Sequence, residues 1–105
     1  MLAAILLQVA TLASDPRPLP PDWFDYPPAA LRNEEQGIVG YEADVGPDGR
    51  VTACRITASS GSALLDSTTC HQTTLRGRFR PAKDAAGIAV AGTYRGTAGW
   101  KLHKN

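Results

Sequence analysis

The sequence predicts an α+β fold: a β-β-α-β module whose three-stranded antiparallel sheet packs on one helix, preceded by a short helical turn. An alternating run from Gly37 to Val45 is joined by Gly46-Pro47-Asp48-Gly49 to a second strand-like run, Arg50 to Ser59. A segment capped by Ser62 and opening Leu64-Leu65-Asp66 fits a helix to Arg76. Alternation returns from Gly92 to Leu102.

Each element has a local cause. Pro27 and Pro28 open a helical turn through Arg32, because proline's missing N–H does no harm in the first helical positions. In the first strand Val39, Tyr41, Ala43 and Val45 face one way, and Ile38, Gly40, Glu42 and Asp44 the other. That period of two marks a half-buried strand. Pro47 presets φ and Gly49 tolerates positive φ, so the first two strands form an antiparallel hairpin. Val51, Cys54 and Ile56 are the apolar positions of the second strand, and the step from Val51 to Cys54 breaks the period. A β-bulge near Thr52-Ala53 repairs it.

Ser62 is the expected N-cap, and Asp66 suits the positive end of the helix. The interior carries Thr68, Thr69, Thr73 and Thr74. Threonine forms helices poorly, so tertiary packing must hold this one. Arg76, Arg78 and Arg80 follow as solvated charge, Phe79 as a core anchor and Pro81 as a helix stop. Lys83 to Val90 reads as a loop. In the last strand Tyr94, Gly96, Ala98, Trp100 and Leu102 share one face, and Thr93, Arg95, Thr97, Gly99 and Lys101 the other. Gly92, Gly96 and Gly99 there leave room for another backbone to approach.

A chain of 105 residues makes one small domain. With 43% hydrophobic and 20% charged residues it is globular in composition, and a net charge of +1 gives no bulk attraction to nucleic acid or anionic lipid. Cys54 and Cys70 permit one disulfide in an oxidising compartment; the alternative is two buried thiols. Their spacing lacks the paired clusters of structural zinc, with only His71 and His103 to assist, so no metal and no cofactor is expected. Ser59, Ser60 and His71 are the only tempting catalytic pieces, with no nucleophile elbow and no oriented acid. No catalytic residue is assigned, and the chain reads as a non-enzyme.

Residues 1–13 carry no charged side chain and are mostly apolar, with small residues at −3 and −1 of a cut after Ala13. They read as a signal peptide that exports the protein, although no Lys or Arg precedes the apolar run. Inner-membrane anchoring is the alternative, and membrane association is expected only if the run is uncleaved. Fourteen residues of such a helix reach only about 21 Å, short of the roughly 30 Å hydrocarbon core. Residues 14–25 form a Pro-rich connector and residues 26–105 the domain. Trp23, Phe24 and Tyr26 pin the connector to the domain surface; the sharper reading makes them a ligand-contact patch.

Several fragments, in order, resemble the C-terminal domain of the TonB energy-transducer family. They are Tyr26-Pro27 to Ala30, Gly37-Ile38-Val39, Pro47-Asp48-Gly49, Ser59-Ser60-Gly61, Leu65-Asp66 and Phe79-Arg80-Pro81-Ala82. The resemblance implies a periplasmic domain of Gram-negative bacteria that binds a short peptide of outer-membrane transporters by strand addition at its third strand. Carried onto this sequence, the docking edge is Tyr94, Arg95, Gly96, Thr97, Ala98, Gly99, Trp100 and Lys101, with Tyr26 and Pro27 nearby. The partner is a protein or peptide, and self-pairing as a homodimer stays open. A complete transducer also has a membrane helix and a long spacer. Counted from Ser14 through Pro28, about 15 extended residues reach only roughly 50 Å, so the resemblance is to a free-standing domain. In that frame Cys54 and Cys70 fall on the second strand and the helix, where a bridge would tie sheet to helix. The alternative function is an envelope structural or stress protein that uses the fold without touching transporters.

Overall fold

The computed structural model describes residues 12–19 and 23–103. The rest of the expected signal peptide, residues 1–11, and Pro20 and Pro21 of the connector lie outside the described residues. In chain order the elements are β1 (Leu12–Ser14), β2 (Arg17–Pro18), α1 (Pro28–Arg32), β3 (Gly37–Val45), β4 (Val51–Ala58), α2 (Ala63–Arg76), β5 (Phe79–Arg80), β6 (Ala82–Asp84), β7 (Ala89–Val90) and β8 (Gly92–Trp100).

The main sheet is antiparallel, in the order β4-β3-β8, with α2 across one face. The fold class read from the sequence is the one observed. The turn between β3 and β4 closes through Gly49 N–H to the Gly46 carbonyl at 2.9 Å, and the Asp48 carboxylate accepts from Arg50 N–H at 3.0 Å. Gly49 sits at φ 82°, and a Cβ there would lie 2.2 Å from the Phe79 carbonyl oxygen. Only glycine fits, because the turn is docked on β5: Phe79 N–H donates to the Gly49 carbonyl at 3.0 Å. The expected bulge is present. Asp44 pairs with Ala53 and Val45 with Val51, leaving Thr52 over. A second irregularity, between Gly40 and Tyr41, leaves Thr57 over.

The core lies between the sheet and α2. Val39, Tyr41, Ala43 and Val45 of β3 are all at most 3% exposed, and Leu65, Phe79, Ala98 and Trp100 join them. Trp23 is buried too, and Phe24 packs edge-on against the Trp100 ring at 5.5 Å. The aromatics of the connector thus pin it to the core. Ser62 caps α2 by accepting from Leu65 N–H at 3.1 Å. Thr69 and Thr73 are fully buried, and each accepts from an indole N–H: Trp100 Nε1 to Thr69 at 2.9 Å, Trp23 Nε1 to Thr73 at 3.1 Å. Cys54 and Cys70 form the disulfide, which joins β4 to α2.

Two segments differ from their sequence reading. Lys83 to Val90 is not a loop throughout. It contains the hairpin β6–β7, whose turn is held by Asp84 N–H to the Ile88 carbonyl at 3.0 Å and by the Asp84 carboxylate accepting from Ala86 and Ile88. Part of the connector is ladder rather than free polyproline: β1 pairs with β6 and β2 with β5. Strands of two or three residues are too short to display a period, and proline is tolerated at such edges.

Candidate strand-docking edge

β8 lies at the margin of the main sheet. Its nine residues pair with β3 without interruption, from Gly37 opposite Trp100 to Val45 opposite Gly92. Among the described residues its other side has no ladder partner. In an antiparallel strand alternate residues turn N–H and C=O outward, so this side offers a row of unpaired backbone groups.

The expected edge residues divide by face. Tyr94, Gly96, Ala98 and Trp100 face the core; Ala98 and Trp100 are buried. Arg95, Thr97, Gly99 and Lys101 are exposed on the outer side. Tyr26 stands beside Trp100, ring centroids 5.3 Å apart and nearly perpendicular. Its hydroxyl donates to the Glu35 carbonyl, and burial, then the nearby Glu35 charge, push its pKa up. Pro27 has a role in the neighbouring helix. It caps α1, its carbonyl accepting from Ala30 and Leu31 N–H at 3.0 and 3.1 Å. Tyr41 lies under the sheet against Tyr94, and burial raises its hydroxyl to about 12, so it stays neutral.

The glycines of β8 do not all make room for a partner. A Cβ on Gly96 would lie 2.5 Å from the Tyr94 ring, so that space is taken by the strand's own tyrosine. One on Gly92 would meet Ala82 and Pro16 at 2.9 and 3.1 Å. Only Gly99 opens onto empty space.

Electrostatics on the outer face are largely settled within the sheet. Arg95 pairs with Glu42 at 2.6 Å, and Arg55 bridges Glu42 at 2.8 Å and Asp44 at 3.0 Å. Thr93 donates to Asp44 at 3.1 Å. The hydrogen bond from Arg55, then that from Thr93, holds the Asp44 carboxyl below its ordinary range. These pairs lock the three strands in register. Lys101 has no such partner among the described residues.

A groove flanks each end of the edge. One, of about 350 Å³, lies between Gln36, Gly37, Ile38, Gly99, Trp100 and Lys101, and Ile38 in it is 65% exposed. The other, about 690 Å³, lies between Asp15, Pro16, Gly92, Thr93, Tyr94 and Arg95. Gln36 and Ile38 were not among the expected site residues. An isoleucine on the polar face of an alternating strand was the available signal. Asp15 and Pro16 carried none, since their approach depends on β2–β5 pairing.

The tempting catalytic pieces are not assembled. Ser60 donates to Asp66 at 2.8 Å, and Ser59 bonds the same carboxylate, clamping the turn onto the start of α2. Burial opposes the Asp66 charge, yet these bonds win and hold its pKa below the usual value. His71 lies elsewhere, in a shallow groove with Ser67 and Thr68. Among the described residues no cluster of His, Cys, Asp and Glu could hold a metal, and no helix is long and apolar enough to cross a membrane.

With this geometry in view, comparison with known proteins decides the family. Residues 24–102 match the sequence model of the Gram-negative bacterial TonB protein C-terminal domain. The chain belongs to the TonB C-terminal family. The solution NMR structure of the Pseudomonas aeruginosa TonB C-terminal domain is similar, with a TM-score of 0.67 and 27% identity over 88% of this chain and 91% of that one. No curated protein matches the chain. This TonB-like domain is therefore of a protein-interaction type.

Proposed function

We propose that this TonB-like domain binds an extended peptide by adding it as a strand to the outer side of β8, in TonB-dependent transport across the outer membrane. The observation that carries the reading is the uninterrupted nine-residue ladder of β8 with a vacant outer side among the described residues. β4 is the other margin, but it carries irregularities at Thr52 and Thr57, and bulged edges make poor templates. Main-chain hydrogen bonds along Tyr94–Lys101 supply affinity, and the groove at Ile38 and Gly99 accepts an apolar side chain of the partner. No catalytic role is assigned.

We place the domain in the periplasm. The Cys54–Cys70 bridge supports this, because disulfides persist in oxidising compartments. Cleavage after Ala13 would remove Leu12 and Ala13 from β1. Of these two, Leu12 pairs with Asp84 of β6, and the notable alternative to export by a cleaved signal peptide is anchoring at the inner membrane.

Gly99→Phe tests the dock. A Cβ at Gly99 meets nothing within 4 Å, so the fold should be unchanged while the groove fills. The variant should lose at least tenfold in affinity for transporter plug peptides captured from outer-membrane extract, about 1.4 kcal/mol. Undiminished capture would move the dock elsewhere, and no capture by either form would favour an envelope structural role.

A further inference from the structure

Exposed cations gather beyond one end of the docking edge. The β2–β5 register sets Arg17 opposite Arg80, and Lys83 follows on β6. Among the described residues none of the three has a carboxylate within 4 Å, unlike Arg55, Arg76 and Arg95. They line a groove of about 220 Å³ with Ser14, Asp15 and Pro81, three cations against one carboxylate. The nearby Asp84 carboxylate is turned into its own hairpin, where it accepts from Ala86 and Ile88 N–H, so it does not neutralise them. Like charges directly opposite one another are destabilising. A net charge of only +1 makes this clustering a local feature of the fold, not a reflection of composition. An anionic partner would relieve it. Guanidinium forks grip carboxylates through paired hydrogen bonds, and a lysine adds a point charge.

The position of the groove selects the anion. Asp15 lines both this groove and the larger one at the Gly92 end of β8, so the two meet there. Between them Pro16 is buried against β8, its ring 3.1 Å from where a Cβ on Gly92 would lie. Arg95 lines the same path, but Glu42 holds it at 2.6 Å, which leaves Arg17, Arg80 and Lys83 as the cations open to a partner. A strand laid along the outer side of β8 leaves the ladder at Gly92, and its next residues enter this path. We propose that the Arg17–Arg80–Lys83 groove binds an acidic flank of the docked peptide, Asp or Glu side chains adjoining its strand-forming stretch. This rests on the strand-addition reading above and adds the chemistry of the partner: an apolar side chain at the Ile38–Gly99 end of the edge and carboxylates beyond the other.

The test is the affinity of the full chain for a synthetic nine-residue strand of alternating valine and serine, matched in length to β8. It is made bare, and with a run of glutamates or of glutamines at one end or the other, because parallel and antiparallel strands bring opposite ends to Gly92. A few exposed charge pairs together are worth about tenfold at low salt. Glutamates at one end, and not glutamines, should therefore tighten binding about tenfold, and the gain should shrink as salt is raised. Arg17→Gln with Lys83→Gln should remove most of that gain and leave the affinity of the bare strand unchanged. Lys83→Gln alone, at an exposed site, should reduce the gain roughly twofold even if the double variant folds poorly. Equal binding of the bare, glutamate and glutamine strands overturns the acidic flank and leaves the β8 dock standing. Binding of none of them overturns the dock and the flank with it. A glutamate gain that survives the double variant assigns the acid to other cations and overturns this groove. Sedimentation with vesicles containing phosphatidylglycerol, lost in the double variant and unaccompanied by any glutamate gain, assigns the groove to a lipid surface and overturns the peptide reading.

Discussion

A buried indole N–H needs an acceptor, and here the acceptors are threonines on a helix. Trp100 donates to Thr69 at 2.9 Å, and Thr69 in turn donates to the Leu65 carbonyl at 2.8 Å. Thr69→Val keeps the shape and removes the acceptor. Leaving the N–H unpaired should cost about 1–3 kcal/mol, read as a lower urea midpoint, whereas Thr69→Ser should retain most of the stability. Equal losses for Val and Ser would show that packing rather than the hydrogen bond matters. Sequence reasoning saw only that threonines weaken a helix and that tertiary contacts must compensate. Their partners, 31 and 50 residues away, could not be read, because acceptor and donor meet only after the sheet and α2 have packed. Gly96 is similar: its glycine looked like clearance for a partner, and the space is filled by Tyr94.

At the scale of elements, periodicity was a reliable guide where strands were long. β3 and β8 run nine residues each, enough for alternation to declare both faces, and the break from Val51 to Cys54 located the bulge. The pieces β1, β2, β5, β6 and β7 run two or three residues each. β1, β2 and β5 pair with partners distant in sequence, and the local hairpin β6–β7 is too short for alternation to announce it. The Cys54–Cys70 bridge ties the irregular margin strand β4 to α2, a helix whose Leu75 is 60% exposed. Reduction, or Cys54→Ser with Cys70→Ser, should lower stability by about 3 kcal/mol in the chain-entropy model. Chemical denaturation with and without reductant measures this. An unchanged midpoint would mean that β4 and α2 hold together without the tie.

Across the whole molecule, one face of the sheet is buried, the other carries a lattice of ion pairs, and one regular margin is vacant among the described residues. The family was legible because its short signatures are spread along the chain in order, and the match covers residues 24–102. The site was legible only in part. β8 could be chosen from the resemblance, but Gln36, Ile38, Asp15 and Pro16 enter its surroundings through folding. The central claim is that β8 completes its ladder with another polypeptide. Amide hydrogen exchange of the full chain with a transporter plug peptide tests it directly. The account predicts that alternate amides between Tyr94 and Trp100 gain protection on peptide addition while those of β4 do not. Protection confined to β4, or absent from both margins at saturating peptide, would contradict it.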